Sequence, residues 1–317
     1  MRSTLLRHLQ SPCCGAGLRL KAEQADGEEI LEGSLACERC DQAYPVLRGV
    51  PRFVEADAYV DAFSYEWQIH RRTQFDSETR RASLEDFGKK VDMPTTGLAG
   101  KLVLDAGCGT GRYADVLKES GAEIVCVDYS QAIDVAHENL SAFPNIHMIQ
   151  ADLFKLPLKD GVFDYIYSVG VLHHTPDTRK AFRRLVPKLA PEGRISIYVY
   201  PSYDRLYRFL TNLYRNVTTR LPARLLYQLC KIAIPLHYVE KIPVIGRVVG
   251  ILLPTAAVYE DPRWRVLNTF DWYAPKFQWA HTVEEVFAWY EEEGLEKIRV
   301  LPYRVSLAGS KPPDGPQ

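Results

Sequence analysis

The stretch Lys101–Arg112, KLVLDAGCGTGR, constrains the fold of this chain more than any other segment. A short apolar run ends on Asp105, glycines follow at alternate positions, and an amphipathic segment begins at Arg112. This order predicts a strand, a glycine-rich turn and a helix. Glycine lets the backbone bend tightly and lets a ligand approach atoms that a Cβ would shield. The start of a helix also favours an anionic group.

The spacing of these glycines, G-x-G-x-G, differs from the fingerprints of dinucleotide binders and of phosphate loops. A purely structural turn is therefore one interpretation. Two acids favour another. The carboxylate of Asp105 can receive a cation, and Asp128 ends a second apolar run about twenty residues further on, where an acid can accept both ribose hydroxyls. Together, Asp105–Gly111 and Asp128 resemble the S-adenosylmethionine site of class I methyltransferases, in particular those of type 11.

Three later segments extend this resemblance across residues 101–200, namely Gln150–Leu153, Phe163–Val169 and Leu189–Ile195. The resemblance implies that the glycine turn holds the aminocarboxypropyl end of the cofactor, that Asp128 holds the ribose and that Asp152 accepts the adenine amino group. A helix cap is the alternative role of Asp152. The residues that the resemblance assigns to the cofactor are Asp105, Ala106, Gly107, Gly109, Gly111, Asp128, Tyr129, Asp152, Leu153 and Ser168.

Strand-like and helix-like segments alternate from Lys101 onwards. This alternation predicts an α/β fold with a doubly wound, mostly parallel sheet that binds ligands at the carboxyl ends of its strands. The resemblance implies a Rossmann-like sheet of seven strands whose last strand is antiparallel. The predicted strands are 102–105, 123–128, 146–150, 163–169, 194–200, 295–301 and 303–309, and the predicted helices are 111–120, 130–141, 177–190 and 282–293.

Composition and the resemblance together divide the chain into three parts. Residues 1–54 form a small β domain, residues 55–100 a helical connector or lid, and residues 101–317 the methyltransferase-like domain, with a helical insert at 201–280. In the connector, aromatic residues recur at helical spacing from Tyr59 through Phe63 to Trp67. This stripe predicts a helix that either docks onto the main domain or covers the cofactor or substrate.

Cysteines crowd the beginning of the chain at Cys13, Cys14, Cys37 and Cys40. Such clustering indicates a metal site, above all for zinc, rather than disulfides. The segment resembles small zinc-ribbon domains, some of which are separate activator subunits of methyltransferases and others fused to the N-terminus of one. Ser11 stands at the first ligand position of that family. Since adjacent cysteines rarely reach one metal together, a ribbon that has lost its zinc is the alternative.

His173 and His174 follow the predicted fourth strand. The resemblance places this loop beside the transferred methyl group, where a neutral imidazole could accept a proton from a hydroxyl or an amine. Packing or hydrogen bonding is the alternative role of both residues. Trp272, Tyr273 and His281 precede a predicted helix, and we expect them at the mouth of the substrate pocket.

Between residues 203 and 250 the insert carries eight basic and two acidic residues, with apolar stripes such as Leu210, Leu213 and Val217. Three interpretations remain open. The helices could cap the substrate pocket, or form a basic amphipathic surface for an anionic membrane or a lipid-linked substrate. They could also bind nucleic acid through tyrosines interleaved with cations.

The chain has 317 residues and a net charge of −1, which argues mildly against a dominant electrostatic grip on nucleic acid. Its first residues show no apolar signal segment, so we expect a cytoplasmic location. The sequence therefore predicts an S-adenosylmethionine-dependent methyltransferase that acts on an O, N or C atom of a small-molecule or lipid-like acceptor, with a structural zinc ion. The alternatives are an RNA methyltransferase with a zinc-ribbon recognition module, and a non-catalytic protein that binds S-adenosylmethionine or a partner.

Overall fold

Two β-sheets organise the part of the chain that the computed structural model describes, which is residues 1–54, 61–77, 80–202 and 205–313. The smaller sheet is antiparallel and follows chain order. A short loop between its second and third strands carries Cys40, which lies beside Cys13. The strands of this sheet are β1 (Leu18–Asp26), β2 (Glu29–Cys37), β3 (Ala43–Leu47) and β4 (Val50–Pro51).

The larger sheet has seven strands in the order β10-β11-β9-β8-β5-β6-β7. Neighbours from β7 to β9 pair in parallel, whereas β11 lies antiparallel between β9 and β10. The predicted doubly wound sheet with an antiparallel last strand is thus confirmed. Its strands are β5 (Leu102–Ala106), β6 (Glu123–Asp128), β7 (Ile146–Gln150), β8 (Phe163–Val169), β9 (Leu189–Tyr198), β10 (Glu296–Val300) and β11 (Ser306–Ser310).

Helices cover both faces of this sheet, which explains why its central strands are largely apolar. Every residue of β5 is buried, as expected for an interior parallel strand. The strand order reverses beside β5, because β6 lies on one side of it and β8 on the other. Such a switch point opens a crevice at the carboxyl ends of the strands. The covering helices are α3 (Arg112–Leu117), α4 (Ala132–Leu140), α5 (Thr178–Leu185) and α11 (Val283–Glu292).

The two sheets share one apolar core. Leu35 and Val46 of the small sheet belong to the same buried cluster as Leu104 of the large sheet. At their junction the Phe53 N–H donates to the Gln150 carbonyl at 2.8 Å. The N-terminal domain therefore rests on the β7 edge of the large sheet and does not depend on its own small interior alone.

Two connector helices link the sheets, α1 (Asp61–Ile69) and α2 (Ala82–Lys90). Tyr59 of the predicted stripe lies outside the described residues. Phe63 meets the His174 ring edge-on, with centroids 5.3 Å apart. Trp67 lies over the glycine turn, 3.6 Å from the position that a Cβ on Gly109 would occupy. Helix α1 thus packs on the main domain and at the same time covers part of the crevice.

The insert between β9 and α11 folds into helices. Residues Leu226 and Cys230 pack against Val266, Phe270 and Tyr273 in a small core of their own. The helices are α6 (Arg205–Thr218), α7 (Ala223–Cys230), α8 (Ala233–Glu240), α9 (Ile245–Leu252) and α10 (Pro262–Tyr273).

Much of the apolar surface of the insert faces outwards. On α6, Phe209, Leu213 and Val217 follow one another at helical spacing and all are exposed, Phe209 by 66% and Val217 by 62%. The insert therefore combines a small core of its own with a large exposed apolar surface. No helix in the described ranges is long and apolar enough to cross a membrane.

Candidate active site

The glycine turn lies between β5 and α3 and is fixed to the neighbouring strand by its own backbone. The N–H groups of Gly107 and Cys108 donate to the Val127 carbonyl at 2.7 and 3.0 Å. Gly107 has φ +93°, and a Cβ there would come within 2.3 Å of Val171 Cγ1. Both facts require glycine at this position.

Asp128 holds the other side of the turn. One oxygen accepts the Gly109 N–H at 2.8 Å, and the second accepts the N–H and the hydroxyl of Ser130 at 2.8 and 2.6 Å. Burial raises the pKa of the Asp128 carboxyl, although these hydrogen bonds oppose the shift. The carboxylate is thus oriented in advance at the end of β6, beside Tyr129, and both residues line the cleft.

Asp105 is the penultimate residue of β5, and its side chain is buried, with only 2% exposed. Its Oδ2 has no hydrogen-bond partner among the described residues. Burial raises the pKa of this carboxyl to about 8, and the nearby Tyr167 hydroxyl opposes the shift. An unpaired acid behind a bare glycine turn fits a ligand that brings a positive charge, as the ammonium end of S-adenosylmethionine does.

The remaining expected cofactor residues fall into two groups. Asp152 and Leu153 line the cleft next to Asp128. Asp152 also accepts the Phe154 N–H at 2.9 Å and so caps a short 3₁₀ helix, which is the alternative role considered from the sequence. Asp105, Ala106, Gly111 and Ser168 lie behind the wall of the cleft, and the Ser168 hydroxyl donates to the Ala106 carbonyl at 2.7 Å.

The two histidines after β8 occupy different environments. His173 is fully buried and stacks on Tyr200 at 3.8 Å between ring centroids, and neither ring nitrogen has a partner in the described part of the chain. His174 lines the cleft, and its Nδ1 lies 3.0 Å from the Phe277 carbonyl. That contact makes Nδ1 the protonated nitrogen. Burial lowers the pKa of His174, so its Nε2 presents a lone pair.

Two acids that the sequence analysis did not select line the same part of the cleft. Glu66 comes from α1, and Asp271 comes from α10. Asp271 accepts the Tyr200 hydroxyl at 2.6 Å, and its other oxygen is 3.8 Å from His174 Nε2. The sequence could have indicated Glu66, because this acid lies between Phe63 and Trp67 on the apolar face of the predicted helix.

The residues expected at the mouth of the pocket separate in the structure. Trp272 lines the cleft. Tyr273 is buried in the core of the insert and donates to the Pro254 carbonyl at 2.6 Å. His281 pairs with Thr178 and Glu285 at 3.0 and 2.9 Å. The residue that lines the cleft beside it is Ala280.

The whole cleft has a volume of about 1190 Å³. One end is the turn with Asp128 and Asp152, and the other is a chamber with many aromatic side chains, bounded by α1, α6 and α10. This size exceeds that of an ordinary small-ligand pocket, which holds one molecule. Aromatic residues of the lining include Phe63, Trp67, Tyr198, Tyr200, Trp272 and Trp279.

The cysteines of the N-terminal domain form a second site. The sulfur atoms of Cys13, Cys14, Cys37 and Cys40 all lie within 4.8 Å of one another. A tetrahedral zinc ion with Zn–S bonds of about 2.3 Å requires sulfurs roughly 3.8 Å apart, so the arrangement fits one ion. The adjacent Cys13 and Cys14 therefore do reach one centre, because each faces a different partner, Cys40 and Cys37 respectively.

Ser11 remains outside this cluster but supports it. The side chain is buried, and its hydroxyl lies 3.2 Å from the Cys13 sulfur. The Ser11 hydroxyl and the Arg39 N–H lower the pKa of Cys37 to about 6, which favours the thiolate that a metal needs. The cysteine cluster thus fits a structural zinc ion without a ligand at position 11.

Part of this chain is similar in sequence to known proteins. A family profile described as a methyltransferase domain matches residues 104–197. Probable tRNA methyltransferase 9B of Mus musculus is 34% identical over 114 residues, 35% of this chain and 24% of that protein. Demethylmenaquinone methyltransferase of Clavibacter sepedonicus is 33% identical over 101 residues, 32% of this chain and 41% of that protein. A probable S-adenosylmethionine-dependent methyltransferase of Mycobacterium tuberculosis is 33% identical over 95 residues, 30% of this chain and 34% of that protein.

These matches cover a quarter to two-fifths of the relatives' length. The family profile covers the glycine turn and strands β6 to β8, which build the end of the cleft with Asp128 and Asp152. The sheet order, the glycine turn and the acids at the strand ends agree with them, as does the cysteine cluster with a zinc ribbon. The chain therefore carries a class I S-adenosylmethionine-dependent methyltransferase domain together with an N-terminal zinc-ribbon-like domain.

Proposed function

We propose that this chain transfers the methyl group of S-adenosylmethionine to a small-molecule or lipid-like acceptor held in the aromatic chamber under the insert. The observation that carries the proposal is the continuity of one cleft from the glycine turn to that chamber. When bound, S-adenosylmethionine supplies a methyl group on a sulfonium, which is already activated for displacement. The protein then has to hold the acceptor in line and keep water away.

The residues of this chain divide that work. The bare turn admits one end of the cofactor, Asp105 balances its positive charge, and Asp128 orients the ribose. Helix α1 covers the turn through Trp67. In the chamber, His174 Nε2 and Asp271 can accept a proton from the acceptor, because both lie on the cleft wall.

The lining favours a small or lipid-like acceptor over RNA. Apolar and aromatic groups dominate the lining of the cleft, and a concave, mostly apolar site of this kind suits a small molecule rather than a helix surface. Single-stranded bases also stack on aromatic residues, so RNA remains an outcome of the experiment. The names of the relatives include both a demethylmenaquinone enzyme and probable tRNA enzymes.

We also propose that the insert meets an anionic membrane surface. Its exposed apolar residues, among them Phe209, Leu213 and Val217, stand next to exposed cations such as Arg220 and Arg224. Apolar side chains that enter the lipid interface and cations that meet anionic headgroups give such a surface its affinity. The same helix also lines the cleft, through Arg208, Thr211 and Asn212. A membrane bound to its exposed face would therefore lie close to the acceptor chamber.

The activity is tested with labelled S-adenosylmethionine in fractionated cell extract, separated into RNA, protein, lipid and small molecules. We expect the label in the lipid or small-molecule fraction. Label in RNA would support the RNA alternative instead. Binding of S-adenosylmethionine without a labelled product in any fraction would support the non-catalytic alternative.

The cofactor assignment is tested with Asp128→Ala. This variant loses the acceptor of three hydrogen bonds, so affinity for S-adenosylmethionine measured by calorimetry should fall at least about tenfold. The control is Asp160→Ala, which removes an exposed acid that pairs with Lys188. Unchanged affinity of Asp128→Ala would contradict the assignment.

The membrane contact is tested by flotation with vesicles of phosphatidylcholine, with and without phosphatidylglycerol. The double variant Leu213→Asp and Val217→Asp should reduce binding to the anionic vesicles at least about tenfold. Leu47→Asp is the matched control, because Leu47 is also exposed, at 44%, but belongs to the N-terminal domain. Equal binding of the wild type and the double variant would contradict the contact.

A further inference from the structure

Glu66 is a buried acid without a partner on the acceptor side of the cleft. Its side chain is 1% exposed and lines the cleft from α1. Neither carboxylate oxygen has a hydrogen-bond partner within the described ranges. A charged group in such a place is unfavourable unless a ligand brings the opposite charge or a proton. The side chain therefore lacks something that the described residues do not supply.

A second acid lies close to Glu66. Asp271 of α10 lines the same wall, where the Tyr200 hydroxyl holds one of its oxygens. Burial, and after it the negative charge of Asp271, raise the pKa of Glu66 well above its ordinary value. A cation placed between the two carboxylates would offset both the cost of burying a charged Glu66 and the repulsion between the two acids.

Arginines of α6 near these acids are hydrogen-bonded to other groups, Arg208 to the Ser202 hydroxyl at 2.7 Å. Arg215 of α6 faces Asp271, but its guanidinium donates to the carbonyls of Trp272 and Pro275 at 2.9 and 2.6 Å. His174 also faces Asp271, and burial lowers its pKa, so the neutral imidazole adds no charge. Among the described residues, neither Glu66 nor Asp271 forms an ion pair with an arginine or a lysine, so a cationic ligand can pair with both.

We propose that Glu66 and Asp271 bind the ammonium form of an amine acceptor, and that Glu66 takes the proton that the amine loses before methylation. The inference rests on the proposed function, because it names the chemical class of acceptor for the same cleft. A hydroxyl acceptor would leave both carboxylates without a positive charge. An amine matches the pair in charge, and its N–H groups can donate to both.

The chemistry balances without a further reactant. One N–H bond of the ammonium breaks and the proton passes to a Glu66 oxygen, which leaves a lone pair on nitrogen. This lone pair forms the new carbon–nitrogen bond while the carbon–sulfur bond of the donor breaks, and the electron pair of that bond stays on sulfur. The methylated nitrogen carries the positive charge and remains matched to Asp271. A carboxyl with a raised pKa is suited to holding the proton meanwhile.

Binding provides the first test. The full-length protein with S-adenosylhomocysteine is titrated with straight-chain primary alkylamines and with alcohols of the same lengths. Trp67, Trp272 and Trp279 line the cleft, so tryptophan fluorescence reports occupancy. We expect amines to bind at least about tenfold more tightly than the matched alcohols, as a charge-assisted contact does.

Glu66→Gln should reduce amine affinity about tenfold and leave alcohol affinity unchanged, because the amide keeps the shape but not the charge. Asp271→Asn should act in the same direction and covers the case in which Glu66→Gln does not fold. Glu119→Gln, at an exposed position just after α3, should change neither affinity. Equal affinity for amines and alcohols at every length would overturn the inference, as would equal weakening of both by Glu66→Gln.

The labelled products of the extract provide the second test and separate the two proposals. Label retained on a cation exchanger as a methylated amine, at a rate that Glu66→Gln lowers without changing S-adenosylmethionine affinity, supports the inference. Label found only in ethers, esters or C-methyl products overturns the amine assignment and leaves the proposed function standing. Absence of both label and cofactor binding overturns the proposed function itself.

Discussion

The donor end of the cleft and its acceptor end are built in different ways. The donor end consists of one turn and the ends of adjacent strands, and the hydrogen bonds that fix the turn lie within residues 105–130. The acceptor end consists of side chains from α1, β9 and its following loop, α10 and the loop before α11, brought together from residue 63 to residue 280. The first is a local property of sequence, whereas the second exists only after the chain has folded.

The largest effect should come from Gly107→Ala at the donor end. The new methyl group would lie 2.3 Å from Val171 Cγ1, and the alanine would have to keep φ at +93°. Strain of this kind should lower S-adenosylmethionine affinity about a hundredfold or prevent folding, as seen by calorimetry and thermal unfolding. Gly161→Ala is the matched control, since Gly161 has φ +72° with nothing within 4 Å. Normal cofactor affinity of Gly107→Ala would show that the turn is not the binding cradle.

A smaller effect is expected for Asp105→Asn, which should raise the thermal stability of the protein and weaken its binding of S-adenosylmethionine. Because the pKa of buried Asp105 is raised to about 8, the folded state keeps a proton that the unfolded chain releases above its ordinary pKa. The stability from this proton is full at low pH and is lost as pH rises towards 8. The variant should therefore melt about 5 °C above the wild type at pH 8 and show a much smaller difference at pH 5.

The same variant should bind S-adenosylmethionine about tenfold more weakly, because an amide cannot balance the ammonium charge. Scanning calorimetry across this pH range and isothermal titration measure the two effects. A melting difference that does not depend on pH would contradict the raised pKa. Unchanged affinity would remove Asp105 from the donor end.

Tyr200→Phe should affect the acceptor end alone. The variant removes the hydroxyl that holds Asp271 at 2.6 Å and keeps the ring that stacks on His173. Loss of one such hydrogen bond should slow label transfer about fivefold, with S-adenosylmethionine affinity within about twofold of the wild type. An equal loss of cofactor affinity would show that the two ends are not separable.

The smallest effect on the cleft should come from Cys37→Ser in the N-terminal domain. Zinc measured by atomic emission should be lost, whereas Cys230→Ala, away from the cluster, should retain it. Cofactor affinity should stay within about twofold of the wild type, because Leu35 and Val46 still anchor the domain in the shared core. Zinc bound equally by Cys37→Ser would contradict the four-cysteine centre.

The contrast between the two ends also explains what the sequence could predict. The sheet followed from apolar runs that end on Asp105 and Asp128, since burial of a parallel strand on both faces leaves a continuous apolar signature. The turn followed from glycines that steric constraints require. These features depend on neighbours in sequence and could therefore be predicted from the chain alone.

Features that depend on distant neighbours were missed or only partly found. Glu66 and Asp271 approach each other through the docking of α1 and α10, which no local pattern encodes. The predicted stripe on α6 was sound as periodicity, yet Leu213 and Val217 are exposed. Periodicity shows that a helix has an apolar face but not what covers it. The role of Ser11 likewise depends on the fold, which brings Cys37 and Cys40 next to Cys13 and Cys14.

The junction at Phe53 and Gln150 has a consequence for the stability of the protein against aggregation. Strand β7 is one of the two edge strands of the large sheet, and the residues after β4 occupy part of its open side through a parallel bridge between Arg52 and Gln150. An uncovered outer strand is a template on which a second molecule can add its own strand. The N-terminal domain thus shields the β7 edge from intermolecular pairing, so a truncated protein that lacks it should be prone to self-association.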